Sequence, residues 1–359
     1  TEMKKNYFLI LSSIIISLSF IEIFCNFFLF KKVDYNYKDR YLIYSEGKVF
    51  RNIENFFTYE PSQKITASNY YFKDDKFIEI YKYDININNL GLVQDQDLQK
   101  DIPSILFLGD SFTEGQGGGG SWINFFGGNY NNYQIINGGL LGTGFQQFEL
   151  LNSYLSNYDI KKVFVLFIGD DLRRDVFQFN SRQLECLMNH KVCNGSESFY
   201  GFPINHKNPE LFLKRLRRDQ LNNYEKEKIN LKKIRRGIKS WLVNLYIIKI
   251  PKDFLRSKFY KSKNEKIKRN FDSIDNLIKI YKKNIFFVNL KMKDEIIFMN
   301  RSYESFYAKN YILSRTKNYF ECDFNNNLNF FHIYDSHPNQ KGYESLYKCI
   351  LDVLKKEKI

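Results

Sequence analysis

The chain has 359 residues, 43% of them hydrophobic and 18% aromatic, which is enough for one large domain or two ordinary ones and excludes a disordered or collagen-like chain. Its 54 Lys and Arg against 40 Asp and Glu leave a formal charge of +14, favouring anionic surroundings such as phospholipid headgroups, acidic polysaccharide or nucleic acid without choosing among them. Five cysteines in such a length exclude a disulfide scaffold; Cys186 and Cys193 are close enough to close a small loop in an oxidising compartment, and the other three read as buried or idle thiols.

From residue 7 to residue 30 the sequence is almost all Phe, Leu, Ile and Ser. As a helix this run would cover about 36 Å at roughly 1.5 Å per residue, enough to cross a bilayer. No Ala-x-Ala-like cleavage site follows, so the expectation is an uncleaved transmembrane anchor over residues 1–32, with a periplasmic or extracellular domain beyond it. Glu22 is costly inside such a span. Lys31, Lys32, Lys38 and Arg40 after the run, against Lys4 and Lys5 before it, oppose the usual charge bias for that orientation. A buried core helix is the competing reading.

Residues 33–100 are rich in Tyr, Asn and Asp and read as irregular strands leading into the main domain, with an alternating stretch at 77–83. Residues 104–108 then form a short, wholly apolar run of the kind buried on both faces of a parallel sheet. Comparable strands are expected at 133–136, 162–168 and 284–290, alternating with helical patterns at 144–157 and 264–282 and closed by a helix at 340–355. This βαβα order predicts a parallel sheet between helices over residues 101–359. It is interrupted by an insertion at about 172–263, too long for a simple connection. The insertion is dense in Lys and Arg from 207 to 239, and an apolar stretch follows at 241–248. Such a pair would lie on a membrane surface or roof a site for acidic substrates, or would simply be a solvated helical face with a buried partner.

The first apolar strand runs into Gly109-Asp110-Ser111-Phe112-Thr113-Glu114-Gly115. Ligands of open parallel sheets bind just outside the carboxyl ends of the strands, so Ser111 is the candidate nucleophile. Serine needs a general base within hydrogen-bond reach and a third group to orient that base. The turn is not the Gly-x-Ser-x-Gly elbow, because Asp110 directly precedes the serine. Nor is the glycine run at 117–120 a phosphate loop, since no Lys-Ser or Lys-Thr follows; a flexible turn before Trp122 is the better reading. The base is sought at Asp335-Ser336-His337-Pro338-Asn339, just before the last helix, where Asp335 would fix the tautomer of His337. His190 and His206 fall in the insertion, and His332 has no adjacent acid; Asp323 is a fallback orienter.

Gly-Asp-Ser-x-Thr-x-Gly at 109–115, Asn137-Gly138-Gly139-Leu140-Leu141-Gly142, Phe167-Ile168-Gly169-Asp170-Asp171 and Asp335-Ser336-His337-Pro338-Asn339 stand in the order of the SGNH (GDSL-type) hydrolase blocks, which this sequence resembles over about 250 residues. The resemblance implies an esterase with a flavodoxin-like three-layer α/β/α sandwich around a five-stranded parallel sheet. It also implies a Ser111-His337-Asp335 triad and an oxyanion hole drawn from Ser111, Gly142 and position 170. Preorganised donors of that kind are worth about 3 to 4 kcal/mol each.

Two features depart from the pattern. Position 170 is Asp where the family has Asn, and an ionised carboxylate serves such a hole only if its charge is removed or cancelled. Arg173 and Arg174 follow, so a salt bridge to Asp170 is expected, either leaving backbone N–H groups to fill the hole or forming part of a network that braces the insertion. Only Ser336 separates acid and base, a spacing that polysaccharide-modifying branches of the superfamily share. The expected function is a membrane-anchored serine esterase or acyltransferase acting on ester groups, O-acetyl above all, of envelope polysaccharide. The alternative is a catalytically silent module of the same fold that binds glycan or an acyltransferase partner. Cys and His show no metal-ligand spacing, so no metal or other cofactor is expected, and no nucleic-acid module accompanies the basic insertion.

Overall fold

The computed structural model describes residues 2–24, 36, 39–45, 48–118, 120–128, 130, 132–176, 178–188, 202–204, 209–226, 265–297, 303–324 and 327–357. Helix α1 (Glu2–Phe24) opens the chain. The span expected over residues 7–30 is not borne out: among the described residues no helix is long and apolar enough to cross a membrane. Lys4 and Lys5 stand near one end of this helix and Glu22 near the other. Residues 25–30 lie outside the described residues.

The lead-in is more regular than its composition suggests. Strands β1 (Arg40–Ser45), β4 (Gln63–Lys73) and β5 (Lys76–Ile87) pair antiparallel in the order β5-β4-β1, while β2 (Phe50–Ile53) and β3 (Phe56–Tyr59) make a hairpin of their own. Period-two alternation gives the larger sheet two buried faces. Leu42, Tyr44, Ile65, Ala67, Tyr81 and Ile85 join the main hydrophobic core, whereas Tyr41 and Ile43 turn the other way.

The main sheet follows from the apolar runs. Strands β6 (Ser104–Gly109), β7 (Gln134–Gly139) and β8 (Ile160–Phe167) are continued, after the short β9 (Phe202–Ile204) has left for another sheet, by β10 (Ile285–Leu290) and β11 (Tyr319–Cys322). All five pair in parallel in the order β11-β10-β8-β6-β7. Counted along the sheet this is the flavodoxin-like order, whose switch point lies between β6 and β8. Leu106, Leu108, Val163, Val165 and Phe287 point to one face, and Ile105, Phe107, Phe164, Phe286 and Val288 to the other.

The helices, in chain order, are α2 (Ser111–Glu114), α3 (Phe145–Tyr154), α4 (Ser181–Met188), α5 (Pro209–Lys226), α6 (Glu265–Tyr281), α7 (Lys293–Ile297), α8 (Tyr303–Leu313) and α9 (Gln340–Lys356). α3 and α6 pack on the first face of the sheet and α9 on the second, giving the three layers expected. The fifth strand, β11, has no counterpart among the sequence-read strands. Cys322 at its end is buried and disulfide-bonded to Cys349 of α9, so these two are not the buried or idle thiols expected but a bonded pair. Cys186 is also disulfide-bonded, and Cys193 lies outside the described residues.

The described parts of the insertion and the lead-in form one accessory layer. β9 adds to β1 in parallel, and Phe212, Leu213 and Leu216 of α5 cover Tyr41 and Ile43 with Cys186. Arg217 lies 3.5 Å over the Phe72 ring and bonds Asp39 at 2.7 Å, so this basic helix has a buried apolar face and ties one cation to the lead-in, while Lys214 and Arg218 stay exposed. The apolar stretch at 241–248 lies outside the described residues.

Candidate active site

The carboxyl ends of β6, β7 and β8 are level, with Gly109 opposite both Gly139 and Leu166. The segments that follow each strand therefore emerge at one edge of the sheet: Asp110-Ser111, Leu140 to Gly142, and Ile168 to Asp170. Asp110 caps α2 by accepting the Phe112 N–H at 2.9 Å, which seats Ser111 at the first position of the helix. α2 crosses so close to β7 that a Cβ on Gly139 would stand 2.1 Å from the Glu114 nitrogen, so that strand end requires glycine.

The His-bearing loop enters the same edge. His337 Nδ1 donates to Asp335 Oδ1 at 2.8 Å, and its Nε2 accepts from the Ser111 hydroxyl at 2.8 Å. This pairing fixes the tautomer with the proton on Nδ1. Ser111 and His337 are 5% and 6% exposed and Asp335 is fully buried, so the chain of three groups lies just beneath the surface. Phe112 packs against the imidazole with ring centroids 5.3 Å apart. Asn339 caps α9 by accepting the Gly342 N–H, and Lys293 of α7 donates to the carbonyls of His332 and Ile333, so the loop is held from both sides.

The glycine turn is more than a flexible spacer. Gly117, with φ 103°, passes so near the His337 loop that a Cβ would meet the Pro338 carbonyl oxygen at 2.7 Å. Its own carbonyl accepts from His332 Nε2 at 2.5 Å. Burial lowers the pKa of His332, fitting a neutral ring that serves as a brace.

Asp335 is approached from a quarter that sequence reasoning missed. Arg40 of β1 bonds its Oδ1, and Asn69 of β4 and Tyr81 of β5 donate to its Oδ2 at 2.6 and 2.8 Å. Burial pushes this carboxyl up, but the Arg40 charge, then His337 and the hydrogen bonds, outweigh it and hold Asp335 well below the usual carboxylate range. The fallback orienter Asp323 is placed elsewhere, 3.7 Å from Lys291.

The other predicted site residues fall at the same edge. Gly142, with φ 68°, lies in the loop after β7, where Leu140 N–H and Thr143 Oγ1 both bond the Gly109 carbonyl. Asp170 is bonded by Arg173 at 2.6 Å, as expected. Its neighbours do something different. Arg174 bonds Asp171 and, at 2.8 Å, Asp110, tying the turn after β8 to the cap of the Ser111 helix. Burial, and then the nearby Asp110 charge, push the Asp171 carboxyl well up. Part of the cluster therefore braces the turn that carries Ser111, while Asp175, paired with Arg269 and Lys266, ties the start of the insertion to α6.

No family model matches the chain, and no curated protein matches its sequence. Solved structures similar to it include a member of the lipolytic protein G-D-S-L family from Veillonella parvula, at 11% identity and a TM-score of 0.33, covering 70% of this chain and 98% of that one. An acetyl xylan esterase from Butyrivibrio proteoclasticus is similar at 10% identity and a TM-score of 0.31, covering 89% of each. A gut microbial diltiazem-metabolizing enzyme is similar at 12% identity and a TM-score of 0.35, covering 72% of this chain and 48% of that one.

Proposed function

We propose that this protein is a serine-dependent ester hydrolase or acyltransferase of the SGNH type. The observation that carries this reading is the unbroken chain from Ser111 Oγ through His337 to a fully buried, ionised Asp335. Ser111 Oγ attacks the ester carbonyl as His337 Nε2 takes its proton. The tetrahedral adduct then expels the alkoxide, which receives that proton, and leaves an acyl group on Ser111. Water, or a sugar hydroxyl in the transferase case, deacylates it with His337 again as base. The N–H groups of Ser111 and Gly142 are the donors for the developing oxyanion. The substrate we favour is an O-acyl, especially O-acetyl, group of an envelope polysaccharide, the class that the short Asp-x-His spacing suggests. The Cys322–Cys349 disulfide supports work in an oxidising compartment outside the cytoplasm.

Turnover of p-nitrophenyl acetate by wild type and by Ser111→Ala tests the reading. A loss of about 10³-fold or more in kcat is expected, and equal turnover would end it. A second reading, a silent module binding glycan, is favoured by one observation: Asp170, pinned by Arg173, offers no donor of its own where the family places Asn. Asp170→Asn discriminates between the two. On the hydrolase reading it adds a donor and raises kcat about 10-fold or more; on the silent reading both forms are inert.

A further inference from the structure

We infer that the antiparallel sheet before the main domain is a working part of the active site, with Arg40, Asn69 and Tyr81 as positioning residues that aim Asp335 at His337; this rests on the hydrolase reading above.

Three strands supply three polar side chains to one carboxylate. Arg40 lies on the face of β1 that also carries Leu42 and Tyr44 into the core. Asn69 pairs across β4 with Leu42 on one side and with Tyr81 of β5 on the other. A register shift between Asn69 and Tyr70 occurs at this point, and bulges of this kind re-aim side chains beside functional sites. The sheet also grips the preceding residue: Tyr334 stacks on Tyr71 at 4.5 Å and 3°, and its hydroxyl accepts from Lys73 at 3.2 Å.

The division of labour follows from the atoms. Arg40 and His337 share Asp335 Oδ1, so the guanidinium sets where that oxygen sits. Asn69 and Tyr81 occupy Oδ2 and stop the carboxylate rotating about its Cβ–Cγ bond. Tyr81 is itself fixed by Gln116 Nε2 at 2.9 Å, and the Gln116 carbonyl accepts from Tyr343 at 2.5 Å, which links the Ser111 helix, the accessory sheet and α9 in one chain of contacts. The charged and titratable groups around Asp335 are Arg40 from β1, Tyr81 from β5, His337 and His332 from its own loop, and Tyr343 from α9.

The test uses the full chain and p-nitrophenyl acetate, reading kcat, KM and the acid limb of kcat/KM against pH. Arg40→Met is expected to lower kcat about 100-fold at little-changed KM, the cost of a misaimed group, and to move the acid limb to higher pH as Asp335 loses its counter-charge. Arg40→Lys should recover part of both. If Arg40→Met fails to fold, Tyr81→Phe decides, because it removes one hydroxyl and keeps the ring. A drop of about 10-fold in kcat at unchanged KM is expected there. Folded Arg40→Met or Tyr81→Phe with wild-type kcat and pH profile would overturn the inference alone. A folded wild type without turnover would overturn the hydrolase reading and this inference with it.

Discussion

Two buried carboxyl groups lie between the accessory sheet and the main domain, and they have opposite surroundings. Asp335 meets a guanidinium, an amide, a phenol and an imidazole, and stays ionised. Glu114, at the end of the Ser111 helix, is 1% exposed, and neither carboxyl oxygen closes a hydrogen bond, although the Tyr59 hydroxyl and Leu141 N–H lie near enough to offset a little of the burial. Its neighbours from the accessory strands are the buried hydroxyls of Tyr44, Tyr59 and Tyr83, whose pKa values burial and Glu114 push up. Burial raises the Glu114 pKa to about 8. The accessory strands thus hold one acid charged beside His337 and leave another neutral among buried hydroxyls, a separation of two carboxyl environments that on the proposed reading assigns their roles.

The largest expected effect breaks the ionised member. Asp335→Asn keeps the shape but removes the charge that stabilises the imidazolium, and kcat should fall by about 10³- to 10⁴-fold with the protein still folded. Steady-state kinetics checks this; a loss under tenfold would show that His337 works without its acid.

The neutral member is tested through stability. Because the folded pKa of Glu114 is raised above its ordinary 4.5, its contribution is fully present below about pH 4.5 and is lost as pH rises through about 8. Wild type should lose on the order of a few kcal/mol relative to Glu114→Gln across that window, and denaturant titrations at pH 5 and pH 8 measure the difference. Identical pH slopes for the two proteins would mean that Glu114 ionises freely in the fold.

Asp335 has the opposite sign. Its folded pKa is depressed, so its contribution is present above the ordinary 3.8 and is lost as pH falls below that value. The smallest effect is therefore confined to acid. Arg40→Met should flatten the fall in stability below about pH 4, as read by thermal melts against pH, and an unchanged acid fall would contradict the pairing.

The contrast also explains what was legible in the sequence. The Ser111 turn and the Asp335-Ser336-His337 turn are local patterns, each carried by a few adjacent residues at a strand end or a helix start, so they could be picked out without the fold. The four apolar runs of the sheet were legible because burial on both faces leaves no polar alternation to confuse them. β11 has only four residues, none fully exposed and three of them half-buried, and it gave no comparable signal. Arg40, Asn69 and Tyr81 stand on three strands and meet only through register and a bulge, which residue types do not reveal. The pairing of Cys322 with Cys349 likewise depends on α9 packing beside β11, not on spacing. The run at 7–30 reads as a membrane span from its composition; among the described residues no helix is long and apolar enough to cross a membrane, and residues 25–30 lie outside them.

The most direct measurement is covalent labelling of the folded full chain with a fluorophosphonate, followed by peptide mass spectrometry. The account predicts one adduct, on Ser111, formed as fluoride leaves phosphorus, and its disappearance in His337→Ala. A folded wild type that stays unmodified, or that carries the adduct on another residue, would contradict it.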